Sequence, residues 1–250
     1  MNIIKCRLKG VVFLTFDIEP DAPPYQSDST RGLEEGLPWI LEMLNKRRVK
    51  ATFFIVGELA DRYPSIIEAI VGGGHEIGSH GYSHRRMDKL PPEEALREIR
   101  RSIDSLSVFQ QVSSFRAPNL QPPKINVDDY LSLGIKVDSS VAFYKNRFYD
   151  TPIMKNGLLV LPATITSSTI RLPKKIAVRL TLNPKREFHV LFYHPWEFTR
   201  IRRKPIYRPD IWLRTGFYAQ RSLESILDEA GKRGYKFLKV SEAVDRVVCK

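Results

Sequence analysis

The feature that most constrains the fold is the stretch Gly10-Val11-Val12-Phe13-Leu14-Thr15-Phe16, in which Thr15 is the one polar side chain and which stops at Asp17-Ile18-Glu19-Pro20-Asp21. A short, β-branched apolar run without alternation reads as a strand buried on both faces, as in parallel sheets covered by helices. Side chains alternate along a strand, so Asp17 and Glu19 share one face while Ile18 takes the other. Two carboxylates at the C-terminal end of a buried parallel strand stand where α/β folds place their chemistry.

The pattern then repeats. Residues 31–47 follow helical spacing, with Leu33, Leu37, Ile40, Leu41 and Leu44 on one side. Lys50–Val56 reads as a second buried strand and Pro64–Val71 as a second helix, stopped by Gly72-Gly73-Gly74. His75–Gly78 is a short strand, and Leu90-Pro91-Pro92-Glu93 opens a helix striped by Ala95, Ile99, Ile103 and Leu106. Val127–Leu133 is helical, Gly134–Val137 is a strand that ends in Asp138, and Phe188–Tyr193 is a strand that ends in His194-Pro195-Trp196-Glu197. A helix at Ser222–Lys232, a strand at Tyr235–Leu238 and a last helix capped by Ser241 complete the chain. Residues 141–186 are the least regular, with one strand at Leu158–Leu161. Alternating strands and helices predict a largely parallel sheet in one α/β domain over residues 1–250, with no internal repeat or linker.

Composition narrows the function classes. With 250 residues and 42% hydrophobic content the chain can bury a sizeable core, which excludes a disordered segment. No apolar run approaches the ~20 residues of a membrane span. No small-residue cleavage site follows Val11–Phe16, so the expected location is cytoplasmic, or the inner membrane face. Cys6 and Cys249 are the two cysteines: too few for a disulfide framework or a thiolate metal site, though a closed barrel would leave a staple between its first strand and C-terminal segment open. Much of the net charge of +12 lies in Arg200-Ile201-Arg202-Arg203-Lys204, Arg208 and Arg214. Such a loop, 200–214, suits an anionic partner: nucleic acid, a membrane surface or a phosphorylated substrate. With no zinc knuckle, aromatic RNA-binding signature or tandem basic helix, nucleic acid is not favoured.

The chemistry gathers at strand ends. Three of the five histidines lie in Gly74–His84, and His80 and His84 are four residues apart. On a helical turn that spacing puts two imidazoles on one face, and with one carboxylate they make an open site for zinc or a similar divalent ion. Asp17 with Glu19, His80 with His84, Arg116, Asp138 and His194 mark five strand ends that carry polar residues no buried strand needs. In a closed barrel these five ends converge on one mouth.

Taken in order, these motifs resemble those of the polysaccharide deacetylases, the NodB-homology carbohydrate esterases. Thr15-Phe16-Asp17, Phe53-Phe54-Ile55-Val56-Gly57, His80-Gly81-Tyr82-Ser83-His84, Arg116-Ala117-Pro118-Asn119, Asp138 and Phe192-Tyr193-His194 carry the resemblance over roughly residues 10–240. It implies a distorted (β/α) barrel of about seven strands and metal-dependent removal of N-acetyl groups from a sugar or sugar conjugate. It further implies Asp17 as general base paired with Arg116, His194 as general acid oriented by Asp138, and an oxyanion contact near Asn119. His80, His84 and an acid are the implied ligands of one divalent metal, zinc first, with cobalt, nickel or manganese as alternatives. Two departures stand out. Ile18 occupies the position of the family's second acid and cannot ligate, which passes that role to Glu19. Ser139-Ser140-Val141 replaces the tryptophan often found beside the fourth motif, leaving the apolar wall to Phe143, Tyr144 or Trp196. Tyr193 and Trp196 join Asn119 as expected substrate contacts. The expected partner is an N-acetylated carbohydrate, anionic or lipid-linked. Two other readings stay open: a hydrolase of another C–N bond such as a cyclic amide, and a non-catalytic carbohydrate- or nucleic-acid-binding barrel.

Overall fold

A computed structural model describes residues 3–21, 29–200 and 212–249. Arg202, Arg203, Lys204 and Arg208 of the basic loop lie outside these described residues.

The strands are β1 (Ile3–Arg7), β2 (Val11–Ile18), β3 (Thr52–Ile55), β4 (Glu76–Ser79), β5 (Ser114–Phe115), β6 (Val137–Asp138), β7 (Ile153–Lys155), β8 (Leu158–Val160), β9 (Phe188–Tyr193), β10 (Lys236–Leu238) and β11 (Val248–Cys249). Side by side, β9, β2, β3, β4, β5, β6 and β8 run parallel. Beyond β8 the sheet turns antiparallel through β7, β1 and β11. The gap between β8 and β9 is bridged by Thr164, whose N–H donates to the Val190 carbonyl while its Oγ1 accepts from the Val190 N–H. The result is the expected distorted barrel. Eight buried residues in a row make β2 its central strand, with β9 on one side and β3 and β10 on the other. The short β1, β7 and β11 escape a reading from periodicity because each offers too few residues to show one.

The helices are α1 (Leu37–Arg47), α2 (Gly57–Arg62), α3 (Pro64–Gly72), α4 (Pro92–Ser107), α5 (Val127–Ser132), α6 (Lys174–Thr181) and α7 (Phe217–Lys232). Alternation splits the core. Phe13, Phe54, Val137, Leu159, Leu161 and Val190 fill the curl of the sheet. Phe16, Phe53, Ile55, Ile77 and Leu191 pack outward with Ile40, Ile99 and Leu223 of the helices. The predicted helix over 31–47 forms in two parts, a wide turn at Gly32–Gly36 and then α1. Close approach explains the turn: a Cβ at Gly32 or Gly36 would collide with the backbone of Trp196 or Pro195. The helix expected after Ser241 is a single turn, Val240–Ala243. Its Val240 N–H donates to Thr52 Oγ1 and its Ser241 N–H to the buried Glu76 carboxylate, which plugs the lower end of the barrel.

Cys6 and Cys249 are disulfide-bonded across the β1–β11 pair, joining positions 243 residues apart.

Two buried histidines set an acid limit on stability. Burial first, then Arg186 and Arg233, push the His189 pKa down to about 4. His75 is pushed down to about 4 by burial, Lys50 and Lys239, and its Nδ1 accepts the Ala51 N–H, which requires a neutral ring. Because these folded-state values lie below the unfolded one, folding binds fewer protons, and the stability is whole above about pH 6.5 and lost as pH falls toward 4. For His189 the loss amounts to about 3 kcal/mol. His189→Phe should therefore flatten the decline in urea-unfolding free energy between pH 7 and pH 4. Equal declines in variant and wild type would refute the assignment.

Candidate metal centre and active site

The two ends of β2 and β4 build the centre. Asp17 lies on the inward face of β2 and Glu19 follows two residues on, both buried. His80 and His84 come from the segment after β4. That segment is a loop and not the helical turn expected from the spacing. Two left-handed residues fold it back, Gly81 at φ +73 and His84 at φ 56. A side chain at Gly81 would be strained by its φ and would strike Met87. The loop is held in place by polar contacts that spacing could not reveal. Gly57 and Glu58 at the start of α2 donate to the carbonyls of Gly81 and Tyr82, and Glu98 of α4 accepts from both the N–H and the hydroxyl of Ser83. A non-glycine residue held at positive φ costs about 1–3 kcal/mol and marks a place where position matters more than local comfort.

Glu19, His80 and His84 offer three ligand atoms within 4.8 Å of one another. Oε2 of Glu19 lies 2.6 Å from His84 Nε2 and 3.6 Å from His80 Nε2. Both Nε2 atoms are buried and, Glu19 apart, have no polar partner among the described residues. Nδ1 of His80 donates to the Arg116 carbonyl at 2.7 Å, the tautomer that leaves the Nε2 lone pair free. Imidazole nitrogens converging on a carboxylate are what a divalent cation with N/O ligands requires, so the residues present fit such a group. Burial pushes the Glu19 carboxyl up, but His194, His80 and His84 outweigh it and hold it well below the usual range.

Arg116, at the end of β5, is fully buried. Its Nη1 donates to Asp17 Oδ1 and to Thr15 Oγ1, both at 2.7 Å, and Nε and Nη2 donate to Ser139. The guanidinium stacks on Phe54, 4.2 Å from the ring centroid, with Phe192 at 5.6 Å. A buried charge is tolerated only when its donors are matched, and here four of the five N–H groups have acceptors. His194, at the end of β9, aims Nε2 at Glu19 Oε1 (3.5 Å) and Asp17 Oδ2 (4.0 Å). Trp196 stacks on the imidazole with centroids 5.3 Å apart.

Four expected residues stand differently. Asp138 does not join the cluster. It belongs to the outward register of β6, beside Tyr130, Tyr149 and Lys155 at a cavity of about 270 Å³, with its carboxylate on Ser140. Its neighbour Ser139 is the inward residue, because the register Phe115↔Asp138 turns Asp138 outward. Burial raises the Asp138 pKa to about 6, although Ser140 opposes the shift. Tyr193 likewise points outward, fully buried against Phe16 and Phe198 in the helix layer. Phe143 lies under Arg186, 3.8 Å from its guanidinium, at a separate cavity of about 420 Å³. Asn119 is exposed, in a left-handed pair with Leu120 (φ 59 and 50). The sequence reading missed Thr15, Ser139, Arg171 and Glu197. The signal for Glu197 was available: an acid three residues after His194, the spacing that lets a side chain reach back to the start of a turn.

A curled parallel sheet thus carries a Glu/His/His group and a buried Asp–Arg pair at its C-terminal mouth. The sequence profile of the polysaccharide deacetylases matches residues 5–137, and the chain belongs to that family. It is 34% identical over 115 residues to the peptidoglycan-N-acetylglucosamine deacetylase of Bacillus cereus, covering 46% of this chain and 36% of that protein. The chain thus spans about a third of that relative's length. In fold it is similar to a Mycobacterium smegmatis protein assigned to the polysaccharide deacetylases (TM-score 0.74, 21% identity, 96% of this chain and 90% of that one). It is also similar to a family 4 carbohydrate esterase pseudoenzyme of Bacillus anthracis (TM-score 0.63, 19% identity, 95% and 66%). Because a pseudoenzyme shares the fold, activity must be argued from residues.

Proposed function

We propose that the protein is a divalent-metal-dependent hydrolase that removes the acetyl group from an N-acetylated sugar. The observation that carries this reading is the pair of buried Nε2 atoms whose shared polar neighbour is Glu19, next to a buried Asp17–Arg116 pair. Glu19, His80 and His84 would hold the ion, zinc by donor type, with cobalt, nickel or manganese as substitutes. When bound, the ion polarises the acetamide carbonyl and lowers the pKa of water at its open positions.

The rest is done by the chain. Asp17 takes the proton of the attacking water, and Arg116 fixes the carboxylate by its Nη1 hydrogen bond so that the free oxygen Oδ2 faces the substrate. His194 delivers a proton from Nε2 to the leaving amine across the site from Asp17. The backbone N–H near Asn119 would donate to the carbonyl oxygen as it gains charge. Leu120, Ala142, Ala163 and Phe192 form a small apolar cluster beside Arg116 that replaces the absent tryptophan as the wall for the acetyl methyl. Trp196 holds His194 flat.

The net charge of +12 supports an anionic acceptor, such as a peptidoglycan fragment or a lipid-linked sugar, over a neutral one. No helix among the described residues is long and apolar enough to cross a membrane. The Cys6–Cys249 bond supports an oxidising compartment, and the cytoplasmic expectation holds only for the disulfide-rich interior of a hyperthermophile.

Metal content and acetate release test the reading together. Wild-type protein reconstituted with zinc should hold about one equivalent and release acetate from peptidoglycan fragments faster than from neutral chitooligosaccharides, with the preference fading in high salt. His80→Ala should lose both metal and turnover. Failure of the reconstituted wild type to bind a divalent ion, or full turnover in His80→Ala, would sink the proposal.

A further inference from the structure

His194 has one ring nitrogen aimed into the site, and its other nitrogen is held from behind. Nδ1 lies 3.1 Å from Glu197 Oε2, and the same oxygen accepts the His194 backbone N–H at 3.0 Å. Glu197 is fully buried, and its second oxygen is paired with Arg171, itself only 8% exposed. Trp196 completes the arrangement: one face stacks on His194, and the Arg171 guanidinium lies 5.5 Å from its ring centroid. Arg171 comes from the turn Ser167–Arg171, and Glu197 from the turn Pro195–Phe198. Both lie beyond the residues matched by the family profile.

A carboxylate accepts only, so Glu197 requires Nδ1 to carry a hydrogen. A buried carboxylate paired with a buried guanidinium is expensive to assemble, and replacement by apolar residues of similar size is often neutral or stabilising. Stability alone does not call for this pair. Its geometry does one further thing: it locks the imidazole's tautomer and direction.

We propose that Glu197, tethered by Arg171, is the positioning residue of the proton donor His194, in the place the sequence gives to Asp138. The proposal rests on the deacetylase reading. In the step concerned, the tetrahedral adduct breaks its C–N bond, the electron pair goes to nitrogen, and the His194 imidazolium gives that nitrogen its Nε2 proton, becoming the neutral ring with hydrogen on Nδ1. The oxygen of the attacking water leaves in the acetate, and its proton has gone to Asp17. Nδ1–H stays on Glu197 throughout.

The test uses two substrates of the zinc-loaded enzyme. An N-acetylglucosamine oligomer has an amine leaving group that needs the proton, and 4-nitrophenyl acetate has one that does not. Glu197→Gln should lower kcat on the acetamide by about 10²-fold with KM within about threefold. The fall on the aryl ester should be at least tenfold smaller. Because Glu197→Gln leaves Arg171 short of its partner, the double variant Arg171→Met/Glu197→Gln, which removes both charges, should show the same selective loss with a near-native melting temperature. Equal losses on both substrates would mean a merely structural role and overturn the proposal. So would an unchanged kcat, or the same selective loss in Asp138→Asn with none in Glu197→Gln. Nitrogen-15 spectra of histidine-labelled protein read the tautomer independently of turnover. In the titration of wild type, the neutral His194 ring should carry its hydrogen on Nδ1 and lose that preference in Glu197→Gln, and a neutral wild-type ring protonated on Nε2 alone would refute the inference. Wild-type protein inert toward both substrates would instead count against the deacetylase reading, with the spectra still deciding the role of Glu197.

Discussion

Asp17→Asn should cost about 10³- to 10⁴-fold in kcat for acetamide hydrolysis while the protein keeps its metal and its fold. Asparagine matches aspartate in size and still offers an oxygen to Arg116, so the guanidinium keeps four of its contacts: Thr15, two on Ser139 and the amide. What it lacks is a basic oxygen to take the proton of water. Asp17→Ala is expected to behave differently. Arg116 is fully buried, and removing its carboxylate leaves a charge without its counter-ion, a defect worth about 3–5 kcal/mol. The alanine variant should melt well below wild type, and the asparagine variant should not. Acetate release, metal content and a thermal melt on both proteins separate the two effects. Turnover in Asp17→Asn within tenfold of wild type would remove Asp17 as the base.

Breaking the Cys6–Cys249 bond should destabilise the protein by about 5 kcal/mol, the second large effect. The bond joins residues 243 apart, so it closes nearly the whole chain and removes the most loop entropy a single bridge can remove from the unfolded state. Cys249 lies on β11, two exposed residues long, which has little packing of its own to hold it on β1. Cys6→Ser/Cys249→Ser should therefore lower the urea midpoint strongly with catalysis intact below the new midpoint, because the bridge lies on the antiparallel flank and not at the mouth. A midpoint shift equivalent to less than about 1 kcal/mol would mean that the oxidised form is not the stable state.

The site was largely readable because its residues lie where buried strands stop. Asp17 follows six residues of which five are apolar, and burial of such a strand delivers whatever follows it to the mouth. Glu19 follows from Asp17 by the two-residue period. His80, Arg116 and His194 stand at the ends of β4, β5 and β9 on the same ground. At Asp138 the period does not decide, because β6 is two residues long and its face cannot be told from its own pattern. The registers Ser114↔Val137 and Phe115↔Asp138 decide it, and they belong to the neighbouring strand.

The sequence alone determined the long buried strands, most of the longer helices and the end of the sheet that carries chemistry, because hydrophobic period and charge placement are local properties of the chain. It also determined that two histidines and two carboxylates would meet there. Tertiary structure decided which groups pair. Arg171 reaches Glu197 across 26 residues, Ser83 finds Glu98, and Cys6 finds Cys249 at opposite ends of the chain. Such pairings depend on distances set by barrel closure and on the few directions left to a buried side chain once its neighbours are packed, and no local pattern encodes either.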